Sequence, residues 1–318
     1  MVQFIPTEYL WAAFVVGLLL LIKGADVFVE GASTLARRFG LSKTVVGLTV
    51  VAIGTSAPEF AVSGYAALQG AGELAVANVV GSNIFNIGFI LALCAMASPI
   101  LIDKPTLFRD CFFLLLGSIL LSVFALSDGL ISRLDGFILC SLLIGYLTFL
   151  ITKSPTEAKE KSIPSETVAK YGHLKEIGLT ILGLSGLLLG CNLVVDSAKI
   201  FATELGISEW LIGITVIAIG TSLPELVTAV VSIVKQQTEL GVSGLIGSDI
   251  FNIFGVIGST ALLAPMAVSP ESRIPFAFLI LTIVLTAAFM RTHWRLSRAE
   301  GLVMIAVATF RFSYEIFS

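Results

Sequence analysis

Long apolar segments separated by short polar breaks dominate this chain. A helix needs about 20 apolar residues to cross the hydrocarbon core of a bilayer, so the pattern predicts ten transmembrane helices. They lie near residues 8–30, 44–69, 73–98, 107–127, 134–152, 176–197, 210–235, 239–265, 275–290 and 300–317. The one long hydrophilic stretch, 153–175, predicts a linker between a first five-helix repeat at 1–152 and a second at 176–318.

The composition agrees with this pattern. Hydrophobic residues make up 56% of the chain and charged residues 13%, whereas soluble domains carry about 25% charged residues. The four cysteines lie far apart, mostly in apolar runs and without a C-x-x-C pair, so they predict neither a disulfide framework nor a zinc site. The first apolar segment lacks a small-residue cleavage site and is expected to be retained. We expect an all-α integral membrane protein in a lipid bilayer, with no cofactor, no nucleic acid and no obligatory protein partner.

Two motifs recur in both halves at one constant offset. The segment GLTVVAIGTSAPE at 47–59 returns 166 positions later as GITVIAIGTSLPE at 213–225, with ten of thirteen residues identical. GSNIFN at 81–86 returns at the same offset as GSDIFN at 247–252. Each half contains an odd number of predicted helices, so the second half enters the membrane from the opposite side. The sequence therefore predicts an inverted repeat, the arrangement of many secondary transporters.

Basic residues in the loops predict the orientation. If the linker is cytoplasmic, the loops on its side contain fourteen of the 19 lysines and arginines, the opposite loops contain three, and two fall inside predicted helices. This bias predicts a cell-membrane protein (inner or plasma membrane) with both termini outside and a cytoplasmic linker.

Each copy of the first motif places a glutamate, Glu59 or Glu225, inside an apolar segment. An ionisable group there costs about 3 kcal/mol or more at the bilayer centre. A single buried acid can be an accident of packing, held by hydrogen bonds within the bundle. Two acids at matched positions indicate the halves of one cation site.

The residues before each glutamate are also polar. Thr55 and Ser56 precede Glu59 by four and three positions, so a helix turns all three toward one side. Pro58 lacks an N–H group and crowds the preceding turn, which predicts a broken helix whose carbonyl groups near Ala52 face a cavity. The second half repeats this arrangement at Ala218, Thr221, Ser222, Pro224 and Glu225.

The second motif predicts a facing wall. Ser82 and Asn86 share one helix face, as do Ser248 and Asn252, although small polar residues also simply hold membrane helices together. Carboxylate, hydroxyl and carbonyl oxygens suit hard cations such as Ca²⁺ or Na⁺. No thiolate or imidazole is near, which argues against zinc or copper.

Further polar residues have matched positions but open roles. Asn83 and Asp249 form the one mismatch of the second motif and are expected near the edge of the polar face. Asp249 either lines the pore or adjusts a neighbouring group. Four other residues lie toward the ends of the first span of each half, where we expect the acids to mark solvated helix ends. They are Asp26 with Glu30 and Asn192 with Asp196.

GTSAPE with GSNIFN, and GTSLPE with GSDIFN, resemble the two α-repeats of the sodium/calcium exchanger family in the calcium/cation antiporter superfamily, above all its compact prokaryotic members. The resemblance covers both halves. It implies ten helices in two inverted repeats with broken helices at the ion site. It further implies an antiporter, not an enzyme, that exchanges Na⁺ for Ca²⁺ by alternating access, with the first span of each half sliding as a gate.

The resemblance also implies residue roles. Glu59 and Glu225 would bridge the central Ca²⁺ together with the carbonyl groups of Thr55 and Thr221, and the Na⁺ sites would reuse both glutamates. The further oxygens would come from the side chains of Thr55, Ser56, Thr221, Ser222, Ser82 and Ser248 and from the carbonyls of Ala52 and Ala218, with Asn86 and Asn252 lining the middle.

Other functions are weighed against these motifs. K⁺-dependent relatives carry aspartate at one of the two asparagine positions, so Asn86 and Asn252 predict no K⁺ requirement. The proton-driven branch typically has GN-x-x-E in place of GTS-x-P-E. An H⁺-coupled or other divalent cation antiporter and a passive cation channel stay as alternatives. An intramembrane hydrolase using Ser56 or Ser222 would need a nearby base, and both histidines fall in predicted loops.

Overall fold

The structure is a computed structural model that describes residues 9–160, 173–206 and 218–317. Helices account for most of them. They are α1 (Leu10–Phe39), α2 (Lys43–Thr55), α3 (Ala57–Leu68), α4 (Gly72–Ala97), α5 (Thr106–Ser127), α6 (Arg133–Glu160), α7 (His173–Glu204), α8 (Ala218–Thr221), α9 (Leu223–Val234), α10 (Thr238–Leu263), α11 (Pro270–Arg291) and α12 (Arg298–Phe317). The prediction of an all-α membrane protein is confirmed.

Seven of the described helices are long and apolar enough to cross a bilayer, or eight when α2 and α3 count as one broken span. Part of the predicted span 210–235 lies outside the described residues, and α12, which contains Arg298, Glu300 and Arg311, is not among the seven. The count of ten stays a prediction. Helix α6 continues to Glu160, past the predicted end of its span, and the rest of the proposed linker up to α7 lies outside the described residues.

The first helix of each half is longer than the sequence predicts. Helix α1 has 30 residues and ends at Gly40, whose φ of 62° is the left-handed conformation that closes helices. Helix α7 has 32 residues, and the equivalent glycine, Gly206, has φ 75°. The expectation that Asp26 and Glu30 mark a helix end is therefore wrong, because both lie within α1. Asn192 and Asp196 lie within α7 in the same way.

Helices α1 and α7 pack closely along their length through glycine residues. A Cβ atom added at Gly24 would lie 2.2 Å from the Leu187 amide nitrogen, and one added at Gly190 would lie 2.3 Å from that of Leu21. Such contacts bring two helix backbones together, as small residues do in membranes. Around Phe28 the pair forms a hydrophobic core that is separate from the main core of the bundle.

The first motif breaks its helix as predicted. Helices α2 and α3 meet at Ser56 with a bend of 48°. Pro58 occupies the first turn of α3. Backbone N–H groups in a first turn have no carbonyl partner within the helix, so a proline there removes no hydrogen bond. The second half repeats the break between α8 and α9 at Ser222, with Pro224 in the first turn of α9. Both breaks place a glutamate in the first turn of the following helix.

Two short antiparallel ladders join the halves. Strand β1 (Ile100–Leu101) pairs with β4 (Arg295–Leu296), and β2 (Leu130–Ile131) pairs with β3 (Met266–Ala267). Strands β1 and β3 follow the equivalent helices α4 and α10, and β2 and β4 precede α6 and α12. Because membrane-length α5 separates β1 from β2, the ladders lie at opposite ends of the bundle. The pseudo-twofold operation that superposes one half on the other also superposes one ladder on the other, as expected for an inverted repeat.

Candidate ion-binding site

Helices α4 and α10 form the centre of the bundle and position the second motif. The most apolar stretch of α10 is 94% buried and that of α4 is 78% buried, whereas that of α1 is 33% buried. Both central helices contain a π-helical turn at the motif, Asn86–Leu91 in α4 and Phe251–Ile257 in α10. Such turns are frequent at functional sites. The polar residues of both motifs therefore meet inside protein, away from lipid.

Glu59 is fully buried and accepts hydrogen bonds from both halves of the chain. The hydroxyl of Ser82 lies 3.3 Å from Glu59 Oε1, and the hydroxyl of Ser222 lies 3.2 Å from the same atom. The other oxygen, Oε2, has no hydrogen-bond partner among the described residues. Ser222, which contacts Glu59, lies only three positions before Glu225 in the second broken segment. The break in the second half thus reaches the acid of the first.

Glu225 occupies the equivalent position and is also buried. The hydroxyls of Thr55, Ser56 and Ser248 lie beside its carboxylate, but no described residue makes a hydrogen bond of ordinary geometry to either carboxylate oxygen. Thr55 Oγ1 and Ser248 Oγ are instead 2.9 Å apart and bond to each other. This pair joins the broken helix of the first half to the central helix of the second.

Asn83 and Asp249 lie at the contact between α4 and α10, where hydrogen bonds connect them to each other and to the asparagines of the second motif. Asn86 Nδ2 donates to Asp249 Oδ1 over 2.9 Å, and Asn252 Nδ2 donates to Asn83 Oδ1 over 3.0 Å. Asn83 Nδ2 also donates to the carbonyl group of Asp249 over 3.0 Å. All four side chains are fully buried. Their shared position in the duplicated motif was the available signal.

The carbonyl group of Ala52, expected to be free, is engaged within the protein. It accepts the Ser56 amide over 3.0 Å, and the Ser248 hydroxyl lies 3.5 Å away. Thr221 is buried at the end of α8. Ala218 begins α8, and its side chain lies outside the described part of the chain.

Several buried oxygen atoms at this site accept no hydrogen bond from any residue that the structure describes. Such atoms are rare in folded proteins and each needs a physical explanation, for example a bound ion. They are Glu59 Oε2, both carboxylate oxygens of Glu225, Ser56 Oγ, Asn86 Oδ1, Asn252 Oδ1 and Asp249 Oδ2. Among the described residues no group of three or more His, Cys, Asp or Glu side chains could hold a metal ion. The unpaired atoms themselves are oxygens of carboxylate, amide and hydroxyl groups, which fit a hard cation.

Two broken helices that meet at a buried, oxygen-rich site between inverted repeats define a membrane transporter for cations. Residues 9–152 and 175–310 match the model of the family described as sodium/calcium exchanger protein. The chain belongs to this family, so it is an antiporter of Na⁺ and Ca²⁺ and not an enzyme, as the motifs predict.

Relatives and solved structures agree over almost the whole chain. The inner membrane protein YrbG of Escherichia coli is 38% identical over 91% of this chain and 90% of its own. The sodium/calcium exchanger MaX1 of Methanosarcina acetivorans is 33% identical over 91% of this chain and 93% of its own. The sodium-calcium exchanger NCX_Mj, soaked with zero Na⁺ and Ca²⁺, superposes with a TM-score of 0.85 at 32% identity, covering 97% of this chain and 99% of that one. Alternating access fits these exchanger structures.

Proposed function

We propose that Glu59 and Glu225 bind the transported ions of a Na⁺/Ca²⁺ exchange cycle, with Ca²⁺ between them and Na⁺ using the same carboxylates. The observation that carries this proposal is the pair itself. Two buried glutamates follow the two helix breaks, the second break contacts the first glutamate through Ser222, and three of the four carboxylate oxygens have no hydrogen bond to any described residue. A buried charge without a partner is unfavourable, and a cation between the two supplies that partner.

The remaining ligands follow from the side chains around the pair. Neutral donors are hydroxyl oxygens at both breaks and on α4 and α10, amide oxygens at the α4–α10 contact, and backbone carbonyl oxygens before each break. The hydroxyls are those of Thr55, Ser56, Ser82, Thr221, Ser222 and Ser248, the amides those of Asn86 and Asn252, and the carbonyls those of Ala52 and Ala218. Two carboxylates balance one Ca²⁺, so several Na⁺ ions compete for the same oxygens. Ions that exclude each other exchange when the site opens alternately to the two sides.

The same proposal includes the topology of the chain. It comprises two five-helix halves at 1–152 and 176–318, a linker at 153–175 on the cytoplasmic side, and both termini outside.

The experiment that tests the site measures ⁴⁵Ca²⁺ uptake into proteoliposomes loaded with Na⁺. We expect uptake to depend on the outward Na⁺ gradient and to fall about 100-fold or more in Glu59→Gln and in Glu225→Gln, because each change removes half of the charge that balances the buried ion. Glu271→Gln is the matched control, since Glu271 is an exposed acid in the first turn of α11 and its loss should leave uptake unchanged.

Two results would contradict the proposal. Normal uptake by either site variant would remove the glutamates from the ion site. Uptake that ignores the Na⁺ gradient and follows a pH gradient would replace Na⁺ by H⁺ as the coupling ion. Net Ca²⁺ flux without any counter-ion would indicate a passive channel.

A further inference from the structure

The two ends of the bundle are packed differently, and Lys235 lies at the more closely packed one. Helix α1 packs against α9 there. Lys235 follows the last residue of α9, and its Nζ atom lies 2.8 Å from Asp26 Oδ1 and 3.2 Å from Glu30 Oε2 of α1. The same Nζ donates to the Asp26 carbonyl group over 3.0 Å. One lysine thus ties α1 to the bundle at this end.

The second copy of this junction has the same backbone but not the same side chain. The position equivalent to Lys235 is Gln69, which follows α3. Their backbone angles agree closely, with φ −80° and ψ 5° at Lys235 and φ −85° and ψ 4° at Gln69. The next residues, Gln236 and Gly70, both have positive φ, at 57° and 79°. Gln69 is exposed and makes no side-chain hydrogen bond with any described residue.

The helix packing also differs between the two copies of this junction. Helix α7 is the repeat partner of α1, and α3 is that of α9, yet α7 makes no comparable contact with α3 in the described part of the chain. The bundle is therefore closed between α1 and α9 and open between α7 and α3. Since the close glycine contacts join α1 and α7, we treat these two helices as one rigid unit.

Inverted symmetry then specifies the alternative conformation. In such transporters the two access states arise by moving one unit against the other around a fixed site. When the halves exchange roles, α7 lies against α3 and Gln69 faces Asn192 and Asp196, the equivalents of Asp26 and Glu30. A neutral glutamine cannot form the two ion pairs that Lys235 forms. In α7, moreover, Lys199 lies 3.9 Å from Asp196.

We propose that Lys235 is a positioning residue of the exchange cycle, which favours the conformation closed at its own end of the bundle and open at the other. The proposal rests on the proposed function, because it assumes that the ion site opens alternately to the two sides. Lys235 touches no ion. It acts by holding α1 in place. Gln69, its equivalent, cannot form these ion pairs, so the closure at the opposite end of the bundle is weaker.

The expected effect is moderate because these charges are partly exposed. The side chains of Lys235, Asp26 and Glu30 are 25%, 38% and 61% accessible to solvent. Two such ion pairs shift a conformational equilibrium by about threefold to tenfold, and salt reduces the effect. Apparent affinity on one side scales with the fraction of molecules open to that side. A shift therefore changes the Ca²⁺ affinities on the two sides in opposite directions.

The test compares KM for Ca²⁺ in right-side-out and inverted membrane vesicles from cells that express the chain. For Lys235→Gln we expect KM to fall on the side where Lys235 lies and to rise on the other, so that the ratio of the two KM values changes about threefold to tenfold. Lys235→Arg should keep the wild-type values. Gln69→Lys should shift KM in the same sense as Lys235→Gln, and the double variant should favour the opposite state most strongly.

Asp26→Asn with Glu30→Gln removes the same ion pairs from α1 and gives a second route if Lys235→Gln folds poorly. Equal changes of KM on both sides, or no change with normal Na⁺-dependent uptake, would overturn the role of Lys235 and leave the proposed function intact. If the unaltered protein shows no Na⁺-dependent Ca²⁺ uptake, the proposed function itself is overturned.

Discussion

At the scale of single residues, the ion site is nearly symmetric, and Asp249 is its main departure. Its repeat partner is Asn83, and the two occupy the contact between α4 and α10. Asp249 accepts the amide group of Asn86, while Asn83 accepts that of Asn252. An aspartate and an asparagine thus play the same structural role, since each offers one side-chain oxygen to the asparagine of the other half.

This equivalence predicts different results for two substitutions of Asp249. Asparagine at this position keeps the acceptor oxygen, so Asp249→Asn should fold with a thermal midpoint close to that of the unaltered protein. Asp249→Leu leaves the buried amide of Asn86 without its partner and should cost about 1–3 kcal/mol of stability. Thermal unfolding of the purified protein in detergent measures both. Equal stability of the two variants would show that the hydrogen bond to Asn86 contributes nothing.

The sequence identifies the glutamates but not this central network. Glu59 and Glu225 stand out because an acid in an apolar segment is costly and because the motif is duplicated. The sequence draws attention to Asn83 and Asp249 but not to their partners, because a helix-face argument considers one helix at a time. On its own helix, Asn83 lies at the edge of the face that carries Ser82. Only the crossing of two equivalent helices turns that edge into the buried centre.

At the scale of helices, the close contact between α1 and α7 depends on glycine. A Cβ atom at Gly24 would lie 2.2 Å from the backbone of Leu187, so the helices would have to separate. Gly24→Ala should therefore destabilise the protein by about 1–3 kcal/mol, the usual cost of overpacking. Thermal unfolding in detergent gives the value.

Gly145→Ala is the matched control for this prediction. Gly145 is an exposed helical glycine on α6, and a Cβ atom there meets nothing within 4 Å. Alanine is the better helix former, so this variant should be neutral or slightly stabilising. A stable Gly24→Ala protein would mean that α1 and α7 are not held together by backbone contact.

The broken helices were predictable from local chemistry, whereas helix lengths were not. Pro58 and Pro224 mark both breaks by their missing N–H groups. The true end of α1 is signalled by Gly40, but Asp26 and Glu30 suggested an earlier end. These acids are tolerated inside the helix because Lys235 binds them from α9. A partner more than 200 positions away in the chain cannot be inferred from local pattern.

At the scale of the whole molecule, the symmetry of the two halves and its exceptions together account for the two access states of the transport cycle. The two β-ladders repeat the same junction at opposite ends of the bundle, so the scaffold is nearly symmetric. The helices α1 and α7 break the symmetry, because α1 packs closely on α9 whereas α7 makes no comparable contact with α3 among the described residues. A symmetric scaffold with an asymmetric closure is what an alternating-access antiporter needs, since each closure in turn seals one side.

The inverted repeat also makes a prediction about sidedness. Five helices in each half, as we expect, would place the linker on one side of the membrane and both chain ends on the other, and the excess of basic residues on the linker side predicts that this side is cytoplasmic. In Ser165→Cys, a membrane-impermeant thiol reagent should label the linker only after cells are permeabilised. In Ser318→Cys the reagent should label the C-terminus of the protein in intact cells.

The unaltered protein is the control for this labelling, because Cys94, Cys111 and Cys191 are buried and Cys140 is half-buried. Labelling of both positions from the same side would mean an even number of spans in the second half, and the two halves could then not exchange roles.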